Sequence, residues 1–502
     1  MQHLTRSRWR FRVWMAGLVA IALTLASGLA ALANVPIVQI STDPYTNSTS
    51  THQTEVEPDT FAYGNTIVSA FQVGRAISSA GGGCSNIGWA TSTDRGVTWT
   101  HGFLPGTTQY ATPPGPATRI SDPVVAYDAA HNVWMIHTIP LNASGSVTSI
   151  WVSRSTDGGL TWGNPVTTYT NGTANLDKNW LACDNSTSSP YYGNCYAEWD
   201  NNGAGNLLQM QASHDGGLTW DPARTPSGAP SGLGGQPVVQ SNGTVVVPYS
   251  ANNQAERAIR STDGGTSWST TVTIATVSSH GVAGGLRTSP LPSAEVDPQG
   301  RVYVVWQDCR FRTGCTSNDI VMSTSLDGVT WSAVTRIPID AVTSTVDHFI
   351  PGIGVDWTRS APPAHLALAY YYYPTTSCTT GTCQLYVGFI SSGDGGVTWS
   401  TATQVAGPMS LSWVAQSNQG PMVGDYISTS FSSDQKAHPA FAVANAPGAQ
   451  LDEAMYAPNP GLSLLSLVPS LKPAPTRRAG GDKVVFFAPS DRPLPAGLPT
   501  AH

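Results

Sequence analysis

At 502 residues the chain exceeds the roughly 250–300 at which one hydrophobic core stops growing, so it holds several domains or a repeating architecture. Charged residues make up 11% of it against the ~25% usual in soluble domains, while 50 Gly, 37 Pro and 16 Trp describe a turn-rich, aromatic-rich molecule, which excludes coiled coils and long-helix proteins. A net charge of -7 leaves no basic field to attract nucleic acid or anionic lipid.

The chain opens on a processing signal: Arg6, Arg8, Arg10 and Arg12 precede an apolar run from Met15 to Ala26 and the small-residue site Ala31-Leu32-Ala33. Residues 1–33 are therefore expected to be cleaved as a secretory signal peptide, with 34–456 folding and the Pro- and Ala-rich residues 457–502 forming a mostly disordered tail. Cleavage takes the net charge from -7 to -11, since the four arginines are the only charged residues in 1–33. The mature chain is expected to be secreted, monomeric and without a membrane span. In an oxidising compartment six cysteines fall into close pairs, Cys183 with Cys195, Cys309 with Cys315 and Cys378 with Cys383, each stapling a local loop. Cys84 is left over in Gly81-Gly82-Gly83-Cys84, as a free or intermolecular thiol.

An octapeptide then recurs: Ser92-Thr93-Asp94-Arg95-Gly96-Val97-Thr98-Trp99 returns as Ser155 to Trp162, Ser213 to Trp220, Ser261 to Trp268, Ser325 to Trp331 and Ser392 to Trp399. The fifth copy is one residue short, and the fourth carries Ser267 where the others have Thr. Successive aspartates Asp94, Asp157, Asp215, Asp263, Asp327 and Asp394 are 63, 58, 48, 64 and 67 residues apart, the length of one small sheet. The chemistry is that of a turn. Asp accepts backbone N–H groups, Gly supplies positive φ, Thr re-enters a strand and Trp (Trp99, Trp162, Trp220, Trp268, Trp331, Trp399) packs. Alternating runs upstream, such as Ile150-Trp151-Val152-Ser153, read as the strand entering each turn.

These residues resemble the Asp-box, or bacterial neuraminidase repeat, S-x-D-x-G-x-T-W. The resemblance implies an all-β fold, a β-propeller with one four-stranded blade per repeat and the box joining third and fourth strands. After the sixth box, strands are expected near Gly424–Thr429, His438–Val443 and Leu451–Tyr456, and Val35–Ile40 can supply the missing fourth. Seven four-stranded blades closed by the N-terminal strand are favoured, with six as the alternative.

The box aspartates are expected to be structural, and function to lie on the opposite face, at first-strand starts and second-strand ends. That rim holds Glu57, Asp59, Asp122, Asp177, Lys178, Arg287, Asp347, His348, Asp425 and Tyr426, with Arg75, Asp308 and Arg310 at second-strand ends. Sialidases, which the chain resembles, clamp a sugar carboxylate with arginine forks and use a Tyr nucleophile with a Glu activator and an Asp acid. The resemblance implies Arg75, Arg287 and Arg310 as the clamp, Tyr426 as nucleophile, Glu57 as activator and Asp59 or Asp122 as acid, with Asp177, Asp308 and Asp425 also contacting substrate. The family's Phe/Tyr-Arg-Ile-Pro motif is absent before the first box, and Arg119-Ile120-Ser121 follows that box. Two functions stand side by side: a sialidase or related glycoside hydrolase, and a non-catalytic propeller binding a glycan or glycoprotein. No cofactor is required; a structural Ca²⁺ held by Asp59, Asp122, Asp177 and Asp425 is a third expectation. Trp180, Tyr249 and Tyr370 to Tyr373 either stack on sugar or pack between blades.

Overall fold

Inner strands that start at the channel and step outward through antiparallel neighbours organise the molecule, a β-propeller. The structure, a computed structural model, describes residues 35–77 and 82–464; the expected signal peptide and most of the expected tail lie outside the described residues. Strands Glu55–Tyr63, Thr66–Arg75, Cys84–Ser92 and Thr100–Phe103 form the first meander, and Arg119–Asp128, Val133–Leu141, Ser149–Ser155 and Val166–Thr170 the second. Leu176–Cys183, Cys195–Asn201 and Leu207–Ser213 make the third. The fourth starts at Val238–Val239, the fifth at Ser293–Val296 and the sixth at Asp347–Val355, each continuing through three more strands. In the last meander Ser428–Phe431, Ala437–Ala444 and Glu453–Pro458 are joined by the N-terminal strand Ile37–Gln39, which pairs antiparallel with Glu453–Pro458.

Seven separate four-stranded sheets are not what the hydrogen bonds trace. The first two meanders share one eight-stranded sheet, because Cys84 pairs with Ile120. The third has three strands: the segment that would be its fourth contains Pro222 and Pro226, which have no N–H to donate, and its pairing is reduced to isolated bridges, Arg224 with Met210 and Ser231 with Leu207. A two-stranded ribbon, Gln416–Ser417 with Gly420–Pro421, stands apart. The chain also stays ordered past residue 456, since the final strand runs to Pro458 and Leu462 pairs with Ala437.

All six boxes fold as the turn their residues imply. In the first, Asp94 Oδ1 accepts the Thr98 N–H at 2.8 Å, Oδ2 accepts the Thr98 hydroxyl at 2.6 Å, and Ser92 Oγ accepts the Gly96 N–H at 2.7 Å. Trp Nε1 donates to the carbonyl of the second box glycine or its equivalent in four copies, at 3.1–3.3 Å. Trp268 and Trp331 Nε1 lack that partner, and they belong to the two irregular copies.

The same glycines join neighbouring meanders. A Cβ on Gly159 would lie 2.7 Å from Val68 of the first meander, one on Gly328 2.7 Å from Val246 of the fourth, one on Gly396 2.6 Å from Met322 of the fifth, and one on Gly96 2.8 Å from His438 of the last. Buried aromatics fill the remaining joints, as with Trp89, Trp134, Trp151 and Trp162 between the first two. Gly158 and Gly159 separate backbone strain from contact: their φ values are 84° and 82°, but nothing lies within 4 Å of a Cβ on Gly158. Both alanine variants should lose stability in urea, and Gly159→Ala should lose about 1–3 kcal/mol more. Equal losses would show that the contact with Val68 contributes nothing.

The three expected disulfides are formed, Cys183–Cys195, Cys309–Cys315 and Cys378–Cys383. Cys84 is not a surface thiol. It starts a strand, is fully buried, and its Sγ faces the carbonyls of Asn86 and Ile120 at 3.0 and 3.1 Å. No described helix is long and apolar enough to cross a membrane.

Candidate functional site at the channel mouth

Four inner strands carry the same irregularity near their starts. Glu57, Asp122, Lys178 and Ile350 have φ of 60°, 50°, 49° and 50°, and at each the pairing with the second strand slips. A bulge of this kind re-aims side chains, and here it gathers three charged ones into a single cluster.

Lys178 is its centre. Its Nζ stands 3.4 Å from Glu57 Oε1 and 3.7 Å from Asp122 Oδ2 and also pairs with Asp425 Oδ2, with the lysine side chain only 8% exposed. Arg287 forks onto the same Asp425, Nε to Oδ1 at 2.7 Å and Nη2 to Oδ2. Gln72 donates to Glu57 and, at 3.1 Å, to Ser121 Oγ, whose hydroxyl donates to Asp122 at 2.6 Å. Arg75, 2% exposed, donates through Nη1 to Gln72 and to the Gly83 carbonyl, both at 2.9 Å. Burial pushes Glu57 up to about 7, with Lys178 pulling against it and Asp122 and Asp425 adding to it. Burial, then the charge of Asp122, lifts Asp177 to about 6. Asp425 goes the other way: against its burial, Lys178 and Arg287 hold it well below the usual carboxylate range.

The remaining candidates are distributed around this cluster or away from it. Tyr426 is buried, its hydroxyl donates to the Pro123 carbonyl at 3.1 Å, and its ring packs edge-on against Trp180 at 5.2 Å. Burial and then the Glu57 charge push its phenol far up. The cavity between Lys178, Trp180, Asp425 and Tyr426 measures ≈ 10 Å³, room for one water. Asp59 lies deeper in the channel, accepting the Val125 N–H at 2.7 Å. Arg310 stands outside the cluster, paired with Asp308 through Nε at 2.9 Å and Nη2 at 2.6 Å, its guanidinium over the Trp306 ring. The arginines thus divide: Arg75 and Arg287 flank Glu57 and Asp425, and Arg310 serves Asp308. The four aspartates suggested for Ca²⁺ divide too, with the Lys178 ammonium among Asp122 and Asp425 and with Asp59 on Val125. Tyr249, Tyr370, Tyr371 and Tyr373 are buried between strands, and Tyr372 stacks on Tyr386 at 5.2 Å.

Sequence reasoning placed Lys178 on the rim without assigning it a role, and it did not single out Gln72 or the ribbon at Gln416–Pro421, whose Gly420 approaches Gly285 just before Arg287. It also missed a second buried ion network, in which Arg312 and Arg336 both pair with Asp319 and Asp340.

The family model described as a BNR repeat-like domain matches residues 144–352. No curated protein matches the chain significantly. Among solved structures, a protein of unknown function from Dyadobacter fermentans is similar at 15% identity over 71% of this chain and 99% of its own, with a TM-score of 0.45. The NanB sialidase from Streptococcus pneumoniae is similar at 13% identity over 84% of this chain and 70% of its own, TM-score 0.41. A Trypanosoma rangeli sialidase mutant displaying trans-sialidase activity is similar at 12% over 68% of this chain and 58% of its own, TM-score 0.44. Likenesses this distant carry no argument about activity, so the assignment rests on the family model and the turns. Residues 144–352 thus match a BNR repeat-like domain, and all six turns of this β-propeller are built on the same Ser, Asp and Gly contacts.

Proposed function

We propose that the chain is an exported Asp-box propeller that binds an extracellular glycan or glycoprotein without hydrolysing it. The observation that carries this reading is that each arginine a sialidase would turn to a sugar carboxylate already holds an acceptor of its own: Gly83 for Arg75, Asp425 for Arg287, Asp308 for Arg310. A buried Tyr426 hydroxyl donated to a backbone carbonyl, beside a cavity for one water, supports it further. Export is supported by the arginine-led apolar leader and the three disulfides. A count of seven blades is supported by the order of the box-glycine contacts, which runs from meander to meander and returns from Gly96 to His438 of the last, and by the N-terminal strand completing that meander.

The sialidase reading keeps one observation in its favour: Arg75, Arg287, Glu57, Asp122 and Tyr426 do belong to one charged cluster, since Glu57 and Asp122 both act on Tyr426 and Glu57 and Arg287 both act on Arg75. Incubation of the mature chain with a fluorogenic sialoside distinguishes the two. No fluorophore release between pH 4 and 8, with retention of glycans or glycoproteins on an array, is the expected result. Release that disappears in Arg287→Ala would overturn the proposal and establish the hydrolase.

A further inference from the structure

Below the Lys178 cluster the channel widens into a cavity of ≈ 340 Å³, within the size range of small-molecule sites. Its lining includes Tyr63 and Trp357, 46% and 42% exposed. Tyr63 ends a first strand, and in an antiparallel meander the turn from first to second strand lies at the same end as the turn from third to fourth. The cavity therefore opens on the face that carries the boxes, away from the cluster at the other mouth.

Its wall is mostly apolar and aromatic, with Phe61, Leu181, Val238, Ile353 and Phe431 prominent. Two carboxyl groups enter it, Asp59 from the first meander and Glu295 from the fifth. Glu295 feels Asp59: burial lifts Glu295 to about 8, and the Asp59 charge adds to the rise. Burial alone lifts Asp59 to about 7 against the Val125 N–H that it accepts. No Lys, Arg or His is among the lining residues, and neither carboxylate has an ion-pair partner among the described residues. Two acids in an apolar chamber without a counter-charge are expensive to ionise, and a ligand that brings the positive charge removes that cost. A bare metal ion would leave the aromatic wall unused, and an anionic sugar would be repelled.

We propose that this cavity is a binding site for a small organic ammonium ion, its charged nitrogen between Asp59 and Glu295 and a body about the size of one aromatic ring against Phe61, Val238 and Ile353. The site is independent of whatever the opposite rim binds, and a sialidase assay says nothing about it.

Isothermal titration of the full mature chain with 2-phenylethylamine, and separately with its neutral near-isostere 2-phenylethanol, tests the assignment at pH 8. The amine should bind with one-to-one stoichiometry and at least tenfold more tightly than the alcohol. Glu295→Gln, which keeps side-chain shape, should weaken the amine tenfold or more and leave the alcohol unchanged, with an unaltered far-ultraviolet spectrum showing that the variant is folded. Val238→Trp, which fills the chamber, should abolish both isotherms. No amine binding at millimolar concentration, equal affinity for amine and alcohol, or an amine isotherm indifferent to Glu295→Gln would each overturn the proposal.

Discussion

Replacing Lys178 by methionine is expected to lower stability by about 3–5 kcal/mol at pH 8, the usual cost of removing one partner from a buried ion pair. The side chain sits among Glu57, Asp122 and Asp425, and of these three only Asp425 makes a direct ion pair with a second cation, Arg287. Without the ammonium, Glu57 and Asp122 face each other in a site that water barely reaches. Methionine preserves most of the volume and the same positive φ demand, so cavity formation and backbone strain add little. Glu57 stands at about 7 even with Lys178 lowering it, so without the ammonium it rises further, takes up a proton on acidification, and the like-charge repulsion fades. The penalty should therefore shrink between pH 8 and pH 5. Adding Glu57→Gln to Lys178→Met should recover part of the loss, a coupling that a double-mutant cycle in urea measures directly. A loss below 1 kcal/mol at pH 8 would mean that the cluster does not hold the inner strands together.

The second large effect is on pH. Burial raises Glu55 and Glu295 to about 8, Asp59 and Glu57 to about 7 and Asp177 to about 6. It raises Glu198, Asp200, Glu256 and Glu453 well beyond the ordinary range as well. For each of these the folded state binds its proton more tightly than the unfolded chain. That stabilisation is complete below the unfolded value near 4 and is lost as pH rises through 6 to 8, at ~1.4 kcal/mol for each pH unit separating the folded value from the unfolded one. Two groups oppose it. Burial lowers His137 to about 3 and His348 and His438 to about 4, so each costs stability as pH falls below about 6.5. The box carboxylates are lowered too. Against its slight burial, Asp157 is held at about 2 by the Thr161 hydroxyl and N–H, and Asp327 at about 2 by the N–H groups of Thr330 and Val329; their contribution is lost below pH 4. The raised carboxyls outnumber the histidines, so between pH 4.5 and 8 their slope prevails. The melting temperature is expected to peak near pH 4.5–5.5 and to fall by several degrees toward pH 8.5, read by circular dichroism at constant ionic strength. A maximum at pH 7.5 or above, falling on acidification, would contradict this account.

What could be read from the sequence was whatever is completed within a few residues. Asp94 needs only Ser92, Gly96 and Thr98 to form its turn, and Cys309 finds Cys315 six residues on, so spacing alone announces both. The inner strands could be read for the same reason, through Pro58, Pro123 and Pro351 beside short alternating runs. The cluster at the channel mouth is of another kind. Lys178 meets Asp425 across 247 positions, and Asp425 N–H reaches Glu57 across 368, so no local pattern ties them. Position along the propeller brought Glu57, Asp122, Asp425 and Arg287 to the right end of the channel. It could not tell whether an arginine there faces solvent or a neighbouring carboxylate, because that depends on contacts made only when distant meanders come together. Glu295 went unchosen because a single acid in Ser293-Ala294-Glu295-Val296 is an ordinary strand position until a cavity appears beside it.

The pairing of the first strand with the last has a mechanical consequence. Ile37 stands opposite Pro458 and Gln39 opposite Tyr456, so the chain enters and leaves the described residues at one corner, side by side. Tension applied between those two points would load the hydrogen bonds of Ile37–Gln39 one register pair at a time, as in a zipper, rather than all together in shear. The last meander would then yield first at this strand pair and at low force, whereas a pull between two box turns of neighbouring meanders would have to break packed aromatic joints at once.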